Sequence, residues 1–405
     1  MAALTHPDVA RGLVLERVAP LRAESVPLVD ALDRVLAADV ESAEPVPPFD
    51  NSAMDGFAVR AADTQAAAER PVSLAVVDES RAGAPAERRV ERGEAIRIST
   101  GAALPAGADA VVRIEDVVDG GGTIELREAV TEGRDLRRAG HDMPAGTRAL
   151  AAGSVVGPAE VGVLAAAGAS EVACARRPEV AVLTTGDELL GADEPPRPGA
   201  IRNTSSFALP AQARRAGARV PLVETVRDDL GATIRAIERA LAHDVVVVCG
   251  GVSVGPHDHV KPALAELGVE EVFWGVALRP GKPTWFGCGE RGTLVFGLPG
   301  NPVSAMVTFH MFVRPALAAL AGADPSLPRA AAVLARPYAK EPGRMHAVRC
   351  HVEPADGRWH AVPTGDQGSH ILTSMLGTDA LALIDAERGD VAAGDEVTIE
   401  FLWGR

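Results

Sequence analysis

Residues 245–255 read Val245-Val246-Val247-Val248-Cys249-Gly250-Gly251-Val252-Ser253-Val254-Gly255. An uncharged valine run is how a strand buried on both faces of a parallel sheet reads. The run ends in a glycine pair, where backbone N–H groups can approach a ligand's phosphate oxygens. Further on, Leu294-Val295-Phe296 leads into Gly297-Leu298-Pro299-Gly300-Asn301-Pro302, a second apolar run with a glycine turn. Between the two lies the cationic loop Leu278-Arg279-Pro280-Gly281-Lys282-Pro283. Two such turns and a cationic loop predict an anion site at the carboxyl edge of a parallel sheet.

The flanking sequence supports a doubly wound α/β domain. Strands are expected at Val180 to Leu183 and Val220 to Val223, and helices at Phe207 to Ala216, Leu230 to Ala242 and Val260 to Leu267. Asn203, Thr204 or Ser205 is expected to cap the first of these helices, and Asp228 or Asp229 the second. Asn301 followed by Pro302 starts a further helix, to Ala319. Val9 to Arg17 and Val29 to Leu36 carry apolar residues at helical spacing. From Phe49 to about Gly140 short alternating runs predict a small β domain: Val72 to Val77, Ala95 to Ile98, Ala110 to Ile114 and Thr123 to Leu126. Residues 145–172 suggest short strands and a turn, and the pattern after Gly322 a β-rich C-terminal domain.

Composition bounds the function. Hydrophobic residues make up 47% of 405 and charged residues 23%, which excludes a disordered chain. Aromatics at 3% and a net charge of −15 argue against nucleic acid, which requires a basic face and stacking rings. The four cysteines fit neither a zinc nor a disulfide pattern. No basic, apolar leader opens the chain, and no uninterrupted apolar stretch approaches membrane-spanning length. A reduced, cytoplasmic, soluble protein is expected. Of 40 basic residues only Lys261, Lys282 and Lys340 are lysine, and two of them fall in the glycine-rich block.

Acidic residues gather at the same predicted edge. Asp187 and Glu188 follow the first strand, Asp228 the second, and Asp258 the first glycine turn. Hard oxygen donors beside a phosphate cradle are what Mg²⁺ uses. His257 and His259 lack a third ligand at zinc spacing.

At this point the chain resembles the molybdopterin molybdenumtransferases, the family of bacterial MoeA and the gephyrin E domain. The matching stretches are Asp50-Asn51-Ser52-Ala53-Met54-Asp55-Gly56, Ser99-Thr100-Gly101, Thr185-Gly186-Asp187-Glu188-Leu189, both glycine turns, the Arg279–Pro283 loop and Gly365-Asp366-Gln367-Gly368-Ser369-His370. They occur in the family's order along essentially the whole chain. The resemblance implies an elongated domain from residues 1–45 and 141–175, an inserted small β domain at 46–140, a molybdopterin-binding α/β domain at 176–322 and a C-terminal β-barrel at 323–405. It implies a homodimer with its cleft between subunits, and dealings with a molybdopterin adenylyltransferase. The implied reaction inserts molybdate into adenylylated molybdopterin and releases AMP, assisted by Mg²⁺ or another divalent cation.

Carried over by this resemblance, Asp55, Thr100, Glu188, Asp258, Lys261 and Lys282 are the expected catalytic residues. Gly250, Gly251, Ser253, Gly255, Arg279, Gly281, Pro299, Gly300, Asn301, Ser304, Arg137, Arg138, Arg349 and Ser369 are the expected substrate contacts. Asp187, Glu188, Asp228 and Asp258 are the expected metal ligands. The chain departs from the pattern at Gly275, where some members carry lysine, at Arg279, where lysine is common, and at Asp366. Two alternatives stay open. The α/β domain is also that of the enzyme that adenylylates molybdopterin with ATP, and a non-catalytic carrier or scaffold would share the fold.

Overall fold

The structure, a computed structural model, describes residues 4–252 and 258–402. The described chain forms two compact units. One comprises residues to Glu24, Asp33–Ala37 and the chain from Cys174 onward, and the other Ser25–Leu32 and Ala38–Ala173.

The second unit holds a six-stranded sheet: β1 (Gly56–Val59), β2 (Val72–Ser80), β3 (Glu94–Ile98), β4 (Ala110–Arg113), β5 (Val117–Asp119) and β6 (Thr123–Leu126), in the order β4-β1-β3-β2-β6-β5. Phe57, Leu74, Ala95, Val112 and Ile124 form its core, so the alternation read in the sequence is the inward face of this sheet. Residues 145–172 hold more than strands. Pro158–Ala166 is a helix, opened by Pro158 and closed at its start by the Glu160 carboxylate accepting from Gly157 N–H at 3.0 Å. Its alanine-rich faces lack the apolar periodicity that would have revealed it. The helix read at Val29 to Leu36 does not form. A single turn, Leu28–Asp30, is followed by Asp33 at a left-handed φ of 60°, which cannot continue a right-handed helix.

The first unit begins with the helix α1 (Pro7–Leu15), capped by His6 Nδ1 accepting from Asp8 N–H. Its main sheet comprises β7 (Glu179–Thr185), β8 (Arg219–Val226), β9 (Val245–Cys249), β10 (Glu270–Trp274), β11 (Trp285–Cys288) and β12 (Leu294–Leu298), in the order β8-β7-β9-β12-β11-β10. The first four are mutually parallel. β11 pairs antiparallel with both β12 and β10, a departure from the all-parallel expectation. Helices α2 (Ser205–Arg215), α3 (Leu230–Ala240) and α4 (Val260–Glu266) cross between strands. All five residues of β9 and of β12 are buried. Two apolar clusters build on alternate residues of β9, one on Val245 and Val247, the other on Val246 and Val248, as a sheet covered on both faces requires.

A helical run from Pro302 to Leu320 follows β12, with one wider π-type turn at Phe309–Val313. It is long and apolar enough to cross a membrane by length and composition alone, although Thr308, His310 and Arg314 interrupt its apolar run. Of its most apolar window 78% is buried inside the unit, so it is a core helix.

The C-terminal strands are β13 (Arg329–Leu334), β14 (Met345–Ala355), β15 (Arg358–Pro363), β16 (Ala380–Ile384) and β17 (Glu396–Phe401). Their pairings run β13-β15-β14-β16-β17 and back to β13, closing a barrel. Leu278–Arg279 adds beside Met345–His346 at its edge, which fixes the cationic loop to the barrel. Where barrel, α1 and core helix meet, Glu400 is fully buried. Its carboxylate accepts from Arg11 at 3.1 Å and Arg329 at 2.9 Å.

Candidate active site

The carboxyl ends of β7, β8, β9 and β12 open into a cleft of about 680 Å³. Its floor is made by the two glycine turns, which touch. Gly250 N–H donates to Leu298 O at 3.0 Å, and a Cβ on Gly300 would stand 3.7 Å from Gly250 Cα. Gly250 and Gly251 have φ of +95° and +64°, and a Cβ on either would come within 2.9 Å of Thr185 Oγ1. Only glycine fits both the conformation and the space. Cys249 lies buried between the turns. Burial pushes its thiol up to about 11, so it stays protonated and inert there.

A buried polar knot supports this floor. Asn203 Nδ2 donates to Thr184 Oγ1 at 2.7 Å and to Thr225 Oγ1 at 2.9 Å, pinning β7 to β8. Asn203 Oδ1 accepts from Ser206 N–H at 3.1 Å and thereby starts α2, and Asp229 caps α3 through Ala232 N–H. Asp228 is left for the cleft.

Glu188, Asp228 and Asp258 all line the cleft. Asp187 and Asp228 hold one another instead. Asp187 N–H donates to Asp228 Oδ2 at 3.3 Å, and Asp228 N–H to Asp187 Oδ1 at 3.4 Å. Among the described residues no three acidic, histidine or cysteine side chains converge on one point. Three of the four expected metal ligands therefore line the cleft and Asp187 does not, and among the described residues they form no closed nest. Ser253 and Gly255, expected substrate contacts, lie outside the described residues.

A second, basic cleft of about 430 Å³ adjoins the first, sharing Pro283, Pro299, Asn301 and His370 with it. Arg279, Lys282 and Arg344 bring its positive charge, and Gly281, Ser304 and Ser369 also line it. Gly281 has φ of +128° with Thr308 Cγ2 where a Cβ would stand, which turns the loop tightly over the core helix. Arg344 was not singled out from the sequence, since nothing but the pairing of Met345 with Leu278 brings it to this loop.

Arg349 is fully buried and lines neither cleft. Its Nε donates to Ser374 Oγ at 2.8 Å, and its Nη2 to the Asp366 and Gly368 carbonyls, each at 3.2 Å. Its Nη1 has no hydrogen-bond partner among the described residues. Burial pulls its pKa down from the ordinary value. Asp366 closes its own turn by accepting from Gly368 N–H at 2.8 Å. Gly275 has φ of +88°, and a Cβ there would meet Leu4 at 2.9 Å. Lys261 lies in neither cleft, since its ammonium stacks 4.0 Å from the centre of the Trp274 ring.

Asp55, Thr100, Arg137 and Arg138 belong to the second unit. Asp55 Oδ1 accepts from Thr100 N–H at 2.8 Å, joining these two expected catalytic residues. Arg138 pairs with Asp50 at 2.6 Å, and the Ala139 N–H and Arg138 together hold the Asp50 carboxyl below its ordinary pKa. Arg137 is exposed.

Residues 5–168 match the MoeA N-terminal region (domain I and II), 181–319 a probable molybdopterin binding domain, and 331–402 the MoeA C-terminal region (domain IV). The molybdopterin molybdenumtransferase of Haemophilus influenzae is 36% identical over 399 residues, 97% of each chain. The chain belongs to the MoeA family. A second member, the molybdopterin molybdenumtransferase of Bacillus subtilis, is 35% identical over 383 residues, covering 93% of this chain and 89% of that one. The crystal structure of the molybdopterin biosynthesis moeA protein from Pyrococcus horikoshii OT3 superposes with a TM-score of 0.84 at 31% identity, over 98% of this chain and all of that one. This MoeA family member thus keeps the family's fold end to end, with both clefts at the carboxyl edge of its α/β sheet.

Proposed function

We propose that the protein performs the final step of molybdenum cofactor assembly, placing molybdate on adenylylated molybdopterin with cleavage of the phosphoanhydride and departure of AMP. The observation that carries this is the adjacency of two anion clefts across Asn301 and Pro299, one floored by glycine turns and one lined by arginine and lysine.

In this reading the phosphoanhydride lies on the turns at Gly250, Gly251 and Gly300, where backbone N–H groups need no reorganisation to receive its oxygens. Molybdate takes the basic cleft, held by Arg279, Lys282, Arg344 and Ser369. The unpartnered Nη1 of Arg349 supplies a buried donor beneath it. Two anions repel, so these cations screen both before they meet. Cleavage puts a water oxygen on phosphorus and leaves AMP as the departing phosphate.

The hard oxygens of Glu188, Asp228 and Asp258 suit Mg²⁺ or another divalent cation. With no closed nest among the described residues, one or two of them would hold the ion and substrate oxygens would complete its shell. Such an ion supplies charge neutralisation at the phosphoanhydride. Asp55 and Thr100 act from the second subunit of a homodimer.

The test is reconstitution. Purified protein, adenylylated molybdopterin, molybdate and Mg²⁺ should together activate a cofactor-free molybdoenzyme, and omission of the protein should abolish this at micromolar molybdate. Equal activation without the protein, or activation only from ATP and free molybdopterin, would overturn the reading.

A further inference from the structure

Both clefts lie at the carboxyl edge of the α/β sheet, and its amino edge carries a basic groove. A space of about 430 Å³ opens beside Asp244 and Thr293, the residues immediately before β9 and β12. β9 is five residues long, so roughly 16 Å of strand separates this edge from the glycine turns. Arg17, Arg22, Arg176 and Arg291 line the space, against the single carboxylate of Asp244. That carboxylate is engaged, since Oδ1 accepts from Arg176 Nη2 at 2.7 Å and Oδ2 from Glu179 N–H at 2.8 Å. Arg17, Arg22 and Arg291 are exposed, and among the described residues their side chains have no hydrogen-bond or ion-pair partner. In a chain of net charge −15 this is a concentrated positive surface.

The backbone fixes where these arginines stand. Leu21 N–H donates to Leu320 O at 2.8 Å and Arg176 N–H to Arg22 O at 2.9 Å, which fastens the segment after α1 along the edge. Arg291 rides on the turn between β11 and β12, closed by Gly292 N–H donating to Gly289 O at 2.9 Å. Between the arginines the floor is apolar, made by Leu21, Leu241 and Leu320. The groove continues past Leu241, Ala242, Arg291 and Thr293 into a second space of about 380 Å³, whose lining adds Glu238 and Glu290. Its chemistry therefore runs from basic through apolar to acidic.

We infer that this groove docks an acidic segment of a partner protein, with carboxylates on Arg17, Arg22 and Arg291, an apolar side chain on the leucine floor and a cation towards Glu238 and Glu290. Arginine clusters recognise acidic segments in this way, each guanidinium matching a carboxylate with paired donors. A small anion alone fits less well. The arginines surround an open floor, and the buried Thr293 hydroxyl is directed at the Leu241 and His243 carbonyls, at 3.2 and 3.1 Å. An extended chain meets rim, floor and far wall together. Because the groove opens at the amino edge, a docked partner leaves both clefts free. The inference stands apart from the reaction proposed above.

The test is binding of a fluorescent synthetic peptide to the full-length protein, read by anisotropy. The peptide carries a run of aspartate and glutamate, then leucine, a glycine-serine spacer and lysine. The parent should bind it with sub-millimolar affinity at about 0.02 M salt and lose affinity steeply as salt rises to about 0.2 M. Arg17→Glu/Arg22→Glu should weaken binding about tenfold or more, and glycine in place of the peptide's leucine should weaken it as well. The two arginine side chains are exposed and unpaired, so unchanged melting separates lost docking from lost structure. Equal affinity in parent and variant, or no binding by the parent, would overturn the inference. Inorganic pyrophosphate that displaces the peptide and binds more tightly would make the groove a small-anion site and overturn it. A changed oligomeric mass in the variant, read by ultracentrifugation, would make the groove a seam between copies of this chain and overturn it equally.

Discussion

Asn301 Nδ2 donates to Ser369 Oγ at 2.9 Å, and Val303 N–H donates to Ser369 O at 3.3 Å. Asn301 heads the core helix directly after the second glycine turn, and Ser369 lies on the loop beside the barrel. Each cleft borders this junction, so the wall of one is tied to the wall of the other. Asn301→Ala removes a neutral hydrogen bond of about 1 kcal/mol. Molybdate should then bind roughly fivefold more weakly, while Tm changes little. A molybdate titration monitored by calorimetry reads this directly.

Gly250→Ala should abolish activity. The added Cβ would stand 2.9 Å from both Thr185 O and Thr185 Oγ1, in a backbone region alanine avoids. The strain is about 1–3 kcal/mol, enough to displace the turn while the sheet persists. Lost turnover with near-parental far-ultraviolet circular dichroism is the expected pair of results.

Arg349→Met leaves the carbonyls of Asp366 and Gly368 without their donor and removes the buried cation under the basic cleft. Stability should fall by about 1–3 kcal/mol. If the unpartnered Nη1 meets the oxyanion, kcat/KM for molybdate should fall by about 100-fold. Arg349→Lys should regain part of the stability and little of the activity, because a lysine cannot serve the loop and the ligand at once. Steady-state kinetics with a parallel melt separates these effects.

The Glu400 cluster sets an acid limit. Burial would raise the carboxyl's pKa, but His310, Arg11 and Arg329 outweigh it and hold it down at about 2, against an ordinary 4.5. Stability from this lowering is complete above about pH 4.5 and drains away as the pH falls towards 2. His310 adds in the same direction. Its buried imidazole has a pKa below 6.5, so the unfolded state takes up its proton first as pH drops. His310 Nε2 lies 3.3 Å from Glu400 Oε1 but out of line for a hydrogen bond. Glu400→Gln should cost about 3 kcal/mol near neutrality and flatten the fall in Tm below pH 4.5.

The residues that were legible from sequence are those whose local chemistry is self-sufficient. A valine run must be a buried strand, a glycine pair after it must be a turn, and Asn301-Pro302 must start a helix. What escaped depends on distant pairing. The loops at 275–283 and 289–292 carry turn residues, but nothing local shows that β11 returns antiparallel between β12 and β10. Arg344 reaches the basic cleft only because Met345 pairs with Leu278. The place of Lys261 beside the glycine-rich block, and the resemblance, suggested that it would serve catalysis, whereas Trp274 offers its ring at 4.0 Å. Arg349 was expected as a substrate contact, and its burial, with the Asp366 and Gly368 carbonyls in place of water, could not be read from its charge.

The most direct measurement is the rate of AMP release from adenylylated molybdopterin as molybdate is varied, with Mg²⁺ present, for the parent and for Arg279→Ala/Lys282→Ala. In the parent, release should rise with molybdate and saturate, and the double variant should need far more molybdate to reach the same rate. Release that ignores molybdate, or is equal in the two proteins, would contradict the coupling of the two clefts.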